Sequence, residues 1–211
     1  MAARGCHFGQ HENVNTAQVE ALRDLLASSG WLDRPREFAR ALRGRSRTPQ
    51  GLLVVGTPDD EPWHMTAHLE QESQLAGIPE LAPTLVRWAP PADAPAHLRI
   101  GLDRIARAGR SETLLVVGSA PAPDALLERV ADARKAGAAI FALDQGDDEL
   151  DDLAHEALPV RPGVDPVSFD GAQHLVTLEV GGPASGSGAR PLPFRARLAR
   201  LLTTVTGPSD R

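Results

Sequence analysis

Short unbroken apolar runs alternate along this chain with stretches in which apolar residues recur every three to four positions. Leu52-Leu53-Val54-Val55, closed by Gly56, and Thr113 to Gly118 (Thr-Leu-Leu-Val-Val-Gly) have the pattern of strands covered on both faces. Ala138 to Asp144 is a third such run, Thr84 to Trp88 a fourth and Ala157 to Val160 a short fifth. Between them, helical spacing covers Pro62 to Ala76, Ala96 to Ala108 (Leu98, Leu102 and Ile105 on one side) and Pro123 to Ala136 (Leu126, Leu127, Val130). Two helices precede the first strand. One follows Asn15-Thr16 through Val19, Leu22, Leu25 and Leu26 and stops at Gly30, and a shorter one runs from Pro35 to Arg43. Strand and helix in alternation predict an α/β protein, a three-layer αβα sandwich with a five-stranded, mainly parallel sheet. The expected organisation is a polar segment 1–15, the α/β domain 16–180, a Gly/Ser/Pro linker 181–190, and a tail 191–211 forming a C-terminal amphipathic helix. Phe194, Leu198, Leu201, Leu202 and Val205 share one stripe of that helix.

Composition narrows the picture without changing it. The chain has 211 residues, 42% hydrophobic and 24% charged, which suits one sizeable core; aromatics at 4% with no tyrosine leave that core to Leu, Val and Ala. A net charge of −6 argues against duplex nucleic acid as a partner, because neutralising phosphates needs a concentrated basic surface. The arginines between Arg34 and Arg47 read as a solvated helix face and loop. Cys6 is the only cysteine, so no intrachain disulfide or Cys-based zinc cluster can form, in keeping with a cytoplasmic protein. The chain contains no run of about 18 apolar residues, so no membrane partner is expected. Cys6, His7 and His11 lie in a polar terminus and are read as surface residues.

One spacing carries chemistry. His64 and His68 stand at i and i+4 on the helix after the first strand, on one face and one turn apart, close enough to share a metal ion; Glu72 continues that face. The position matters as much as the spacing, since open α/β sheets bind ligands outside the carboxyl ends of their strands.

The order of elements from about Ala17 to Val180 resembles the sugar isomerase (SIS) family, and within it the branch of phosphoheptose isomerases. Four segments carry the resemblance: the leading helix; the strand to Gly56 with the helix Trp63-His64-Met65-Thr66-Ala67-His68-Leu69; the strand to Gly118-Ser119; and Val130 to Leu143, with Lys135-Ala136-Gly137 at its turn. The resemblance implies an SIS-like fold and a sugar or sugar-phosphate ligand met by Gly56, Thr57 and Ser119. It also implies a homodimer or homotetramer. By the same resemblance His174, on the last helix, joins His64 and His68 as a ligand set for zinc or another divalent transition metal, with Asp165 or Asp170 as a fourth ligand; no organic cofactor is expected. If the site is catalytic, aldose–ketose isomerisation assigns His68 as base and His174 as acid.

The sequence departs from that family in its two loops. Ser119-Ala120-Pro121-Ala122-Pro123-Asp124 loses two N–H donors to proline and carries an acid where a phosphate favours positive potential. Gly56 to Pro62 holds Asp59, Asp60 and Glu61. Three readings therefore stand: a phosphosugar isomerase or binding protein with an atypical phosphate loop, a catalytically degenerate SIS module acting as an oligomeric binding or regulatory protein, and a three-histidine metal centre serving a different reaction or structural bracing.

Overall fold

The structure is a computed structural model and describes residues 30–182. The expected helix before Gly30, the Cys6/His7/His11 segment, most of the linker and the C-terminal amphipathic helix lie outside the described residues. In chain order the elements are α1 (Asp33–Arg45), β1 (Leu52–Val55), α2 (Trp63–Ala76), β2 (Pro83–Val86), β3 (Thr113–Gly118), α3 (Asp124–Ala136), β4 (Ala139–Asp144), α4 (Asp148–Leu153), β5 (Glu156–Pro159) and α5 (Phe169–Val180). The strands form one sheet of order β2-β1-β3-β4-β5, and every pairing is parallel.

Alternation along the buried strands divides the core in two. Leu52, Val54, Leu115, Val117, Phe141 and Leu143 point to the layer of α1, α2 and α5, where they meet Phe38, Leu42, Leu69 and Val176. Leu53, Val55, Leu114, Val116, Ile140 and Ala142 point the other way, toward Ile105, Leu126, Val130 and Leu150. The expected three layers and five strands are present. The large aromatic contribution is narrow: Phe38 meets Phe141 edge-on at 5.4 Å between ring centroids.

One predicted helix is absent. Ala96 to Ala108 is not α-helical but two 3₁₀ pieces, Ala96–Leu98 and Leu102–Arg107. Gly101 separates them, and the backbone N–H of Arg87 donates to the Ile100 carbonyl at 2.8 Å, drawing the segment into a bridge beside β2. A carbonyl committed to the sheet edge no longer serves an i+4 helical bond, and Arg104 N–H instead closes a short turn on Gly101. The stripe of Leu102 and Ile105 still packs inward, which is why the apolar spacing looked helical.

Candidate functional site

The loop after β1 leads to α2 on one face of the sheet and the loop after β3 leads to α3 on the other, although β1 and β3 are neighbours. That makes the β1/β3 boundary the switch point of the sheet, where diverging loops leave a crevice in folds of this strand order. Gly56 and Thr57 lie on one lip and Ser119 on the other.

Here the two lips are tied to each other. Ser119 Oγ donates to Asp60 Oδ2 at 2.8 Å, and Asp60 N–H donates to the Thr57 carbonyl at 3.2 Å to close a tight turn. Glu61 accepts from Trp63 Nε1 and from Arg87 Nε, both at 2.9 Å, while the Arg87 guanidinium lies 4.6 Å from the Trp63 ring centre. Trp88 Nε1 donates to the Gly56 carbonyl at 2.8 Å. Gly56 is therefore explained by chain packing: a Cβ there would stand 2.6 Å from Pro62 Cδ and closer still to the Asp60 carbonyl oxygen. Thr57 is buried and its Oγ1 has no hydrogen-bond partner. Of the three residues assigned to a sugar ligand, Ser119 spends its hydroxyl on a carboxylate of the same chain and Gly56 its open space on the turn.

The histidines converge on a second place, between α2 and α5. Pro62 precedes α2 and puts His64 in its first turn, so His64 and His68 stack along one face with ring centres 4.7 Å apart and planes inclined by 26°. Ser168 caps α5, its Oγ accepting from Gly171 N–H, and the helix carries His174 inward to meet both rings edge-on, at 5.1 Å from His64 and 4.9 Å from His68. One ligand nitrogen from each imidazole lies within 4.8 Å of the others. The three rings, Asp170, Gln173 and Thr177 line a cavity of about 150 Å³. Burial lowers the affinity of His68 for a proton, and the charges of His174 and His64 lower it further. Burial and His64 likewise hold His174 below the ordinary histidine value, against the opposing pull of Asp170.

This arrangement suits a transition metal. Tetrahedral coordination at zinc–nitrogen distances of about 2.0–2.1 Å needs neutral imidazoles pointing at one spot, and burial followed by the neighbouring imidazoles favours the neutral form of His68 and His174. Of the two carboxylates considered as a fourth ligand, Asp170 lines the cavity. Asp165 is committed elsewhere: it accepts from Trp31 Nε1 at 2.9 Å, Arg34 at 3.1 Å and Arg161 N–H at 2.6 Å. That network pins α1 to the end of β5, with Arg34 also donating to the Pro159 carbonyl. Sequence spacing carried no sign of it, because Trp31 and Arg34 stand more than 130 positions from Asp165.

No protein-family model matches this chain, and no curated protein does. Solved structures do. The sugar isomerase domain of an RpiR transcription factor from Sphaerobacter thermophilus aligns at a TM-score of 0.50 and 15% identity, over 92% of this chain and 99% of that one. A protein provisionally named a phosphosugar isomerase, from Silicibacter pomeroyi, aligns at a TM-score of 0.52 and 15% identity over 88% of this chain. This chain spans only 51% of that second protein. Likeness at this identity establishes architecture: the described domain has the SIS fold, as the order of its strands and helices led us to expect. No helix among the described residues is long and apolar enough to cross a membrane.

Proposed function

We propose that this protein is a sugar- or sugar-phosphate-binding member of the SIS family that holds a divalent transition metal, zinc in the first instance, at His64, His68 and His174. The observation that carries the reading is the convergence of three imidazoles, with ligand nitrogens within 4.8 Å of one another, on one small cavity that Asp170 also lines. Such a cation would supply a positive centre able to polarise a carbonyl or hydroxyl oxygen. The chain's own contribution is to hold the donors: the register of α2 fixes two imidazoles one turn apart, and the Ser168 cap fixes the approach of α5.

The roles of His68 as base and His174 as acid compete with this one, since a ring nitrogen bound to metal cannot also take up a proton. The bond from Ser119 to Asp60 commits that hydroxyl's proton within the chain, which leaves less binding energy to position a sugar for isomerisation. Elemental analysis of protein purified without an affinity tag tests the proposal. About one equivalent of zinc or a neighbouring metal per chain is expected, lost in a His64→Ala/His68→Ala double variant. Wild-type protein that stays metal-free after incubation with zinc would remove the metal centre and leave the degenerate binding module.

A further inference from the structure

A different group of side chains, at the carboxyl end of β4, is organised around something smaller than a metal. Asp144 is the last residue of β4 and is 1% exposed. Its Oδ1 accepts from Gly146 N–H at 2.6 Å and Asp147 N–H at 2.9 Å, which folds the chain into α4. Its Oδ2 is buried with no donor, and so is Oδ1 of Asp151, one turn into α4. Among its charged neighbours, Asp144 acts most strongly on the Asp151 carboxyl, ahead of Asp147 and Asp148. Two ionised carboxylates in that position would each bury an oxygen without a donor and repel one another. A cation needs more ligands than converge here, since the three histidines form the only cluster of three potential ligands among the described residues.

We propose that Asp144 and Asp151 share a single proton, and that this carboxyl–carboxylate pair is a pH-sensitive clasp on the carboxyl edge of the sheet. One hydrogen bond then satisfies both orphaned oxygens. The clasp reaches the loop after β3, because Asp147, positioned by Asp144, accepts from Leu150 N–H with Oδ1 and from Ala122 N–H with Oδ2 at 2.7 Å. Gly118 and Asp144 are also paired neighbours in the sheet. When the proton leaves, two anions face each other in a buried site, and α4 loosens together with the loop from Ser119 to Pro123.

The surroundings support retention of the proton near neutrality. Burial raises the Asp151 carboxyl to about 7, helped by Asp144 and by the like charges of Asp147 and Asp148. Of the cations on adjoining elements, Arg134 of α3 donates to the Asp152 carbonyl, and Arg161, beyond β5, lies alongside Gly146 but is not among the groups that act on Asp151. His155, which follows α4, accepts from Ile140 N–H through Nδ1. Because the folded-state value stands above the unfolded one, the folded chain holds the extra proton between about pH 4 and pH 7. Its stability falls as pH rises through that window, with the loss complete above it.

The test compares wild type with Asp151→Asn and Asp144→Asn, all metal-free so that the histidines contribute equally. Infrared spectroscopy of the wild type at about pH 6 should show a protonated-carboxyl stretch that is absent in Asp151→Asn. Between about pH 5 and pH 8.5 the wild-type Tm should fall by several degrees more than that of Asp151→Asn. Amide exchange at residues 119–123 and 145–153, corrected for its intrinsic pH dependence, should rise only in the wild type. A wild-type spectrum without the band, or superimposable Tm profiles, would overturn the clasp. The infrared result stands even if a variant does not fold.

Discussion

Replacing Gly56 by alanine separates a glycine kept for a ligand from one kept for the chain itself. The added Cβ would sit 2.6 Å from Pro62 Cδ and nearer still to the Asp60 carbonyl oxygen, and neither a proline ring nor a backbone carbonyl yields as a flexible side-chain end would. The turn must therefore open by about an ångström, a cost of the overpacking kind, roughly 1–3 kcal/mol. Opening it endangers the turn bond from Asp60 to Thr57, the Trp88 bond to the Gly56 carbonyl and the Ser119–Asp60 latch. Losing one or two of these at about 1 kcal/mol each brings the expected destabilisation to roughly 2–5 kcal/mol. Denaturant titration reads it as a lower midpoint at unchanged m. Gly44→Ala is the control: it lies in α1 with nothing within 4 Å of its Cβ position, and should stabilise by up to about 1 kcal/mol. If Gly56→Ala cost less than about 1 kcal/mol, the close packing of the turn would not be what requires glycine there.

Two further outcomes follow from charge. His68 and His174 bind protons less readily in the folded chain than in the unfolded one, so metal-free protein should lose stability as pH falls from about 6.5; His174→Gln should flatten that limb of a Tm–pH profile, and an unchanged slope would contradict the crowding of the rings. Burial alone would raise the Asp165 carboxyl, but the bonds from Arg161 N–H and Trp31 and the charge of Arg34 outweigh it and hold it low. Its stabilisation should therefore be present above about pH 4 and vanish as pH falls through the folded-state value. Asp165→Ala should cost about 1–3 kcal/mol near neutrality in urea titration, a loss that a surface carboxylate would not show.

The strands were legible in the sequence because each is buried on both faces, so that position in the sheet appears as an unbroken apolar run. Their limits shifted by a residue or two where proline or a loop contact intervened, as at Pro83–Val86. The stretch from Ala96 to Ala108 misled because inward-facing residues three apart suit a 3₁₀ turn as well as an α-helix, and what decides between them is a backbone bond to Arg87 from outside the segment. His64 and His68 were visible as a pair through their spacing, whereas the approach of His174 depends on α5 packing across α2. Asp144 was legible only as the last residue of an apolar run, and nothing in the sequence singled out Asp147 or Asp151. What sets these acids apart appears only once Asp144 is seen to be buried at the end of a strand, with its second oxygen and one of Asp151 buried without a hydrogen-bond partner.

The charge of the ligand and the charge of the histidine centre bear on each other through the β1–α2 loop. That loop brings Asp59, Asp60 and Glu61 within a few residues of His64. Glu61 is balanced by Arg87 and Asp60 is satisfied by a hydroxyl, which carries no charge, so the mouth of α2 stays net negative. The imidazoles of His68 and His174 do little to offset this, because burial favours their neutral form. On the proposed reading, a phosphate ester approaching the metal-free protein meets unbalanced carboxylates, while a divalent ion held by the same rings reverses the local field. On the same reading a sugar hydroxyl would donate to those carboxylates with or without the ion, so that charge on the ligand is what the ion decides.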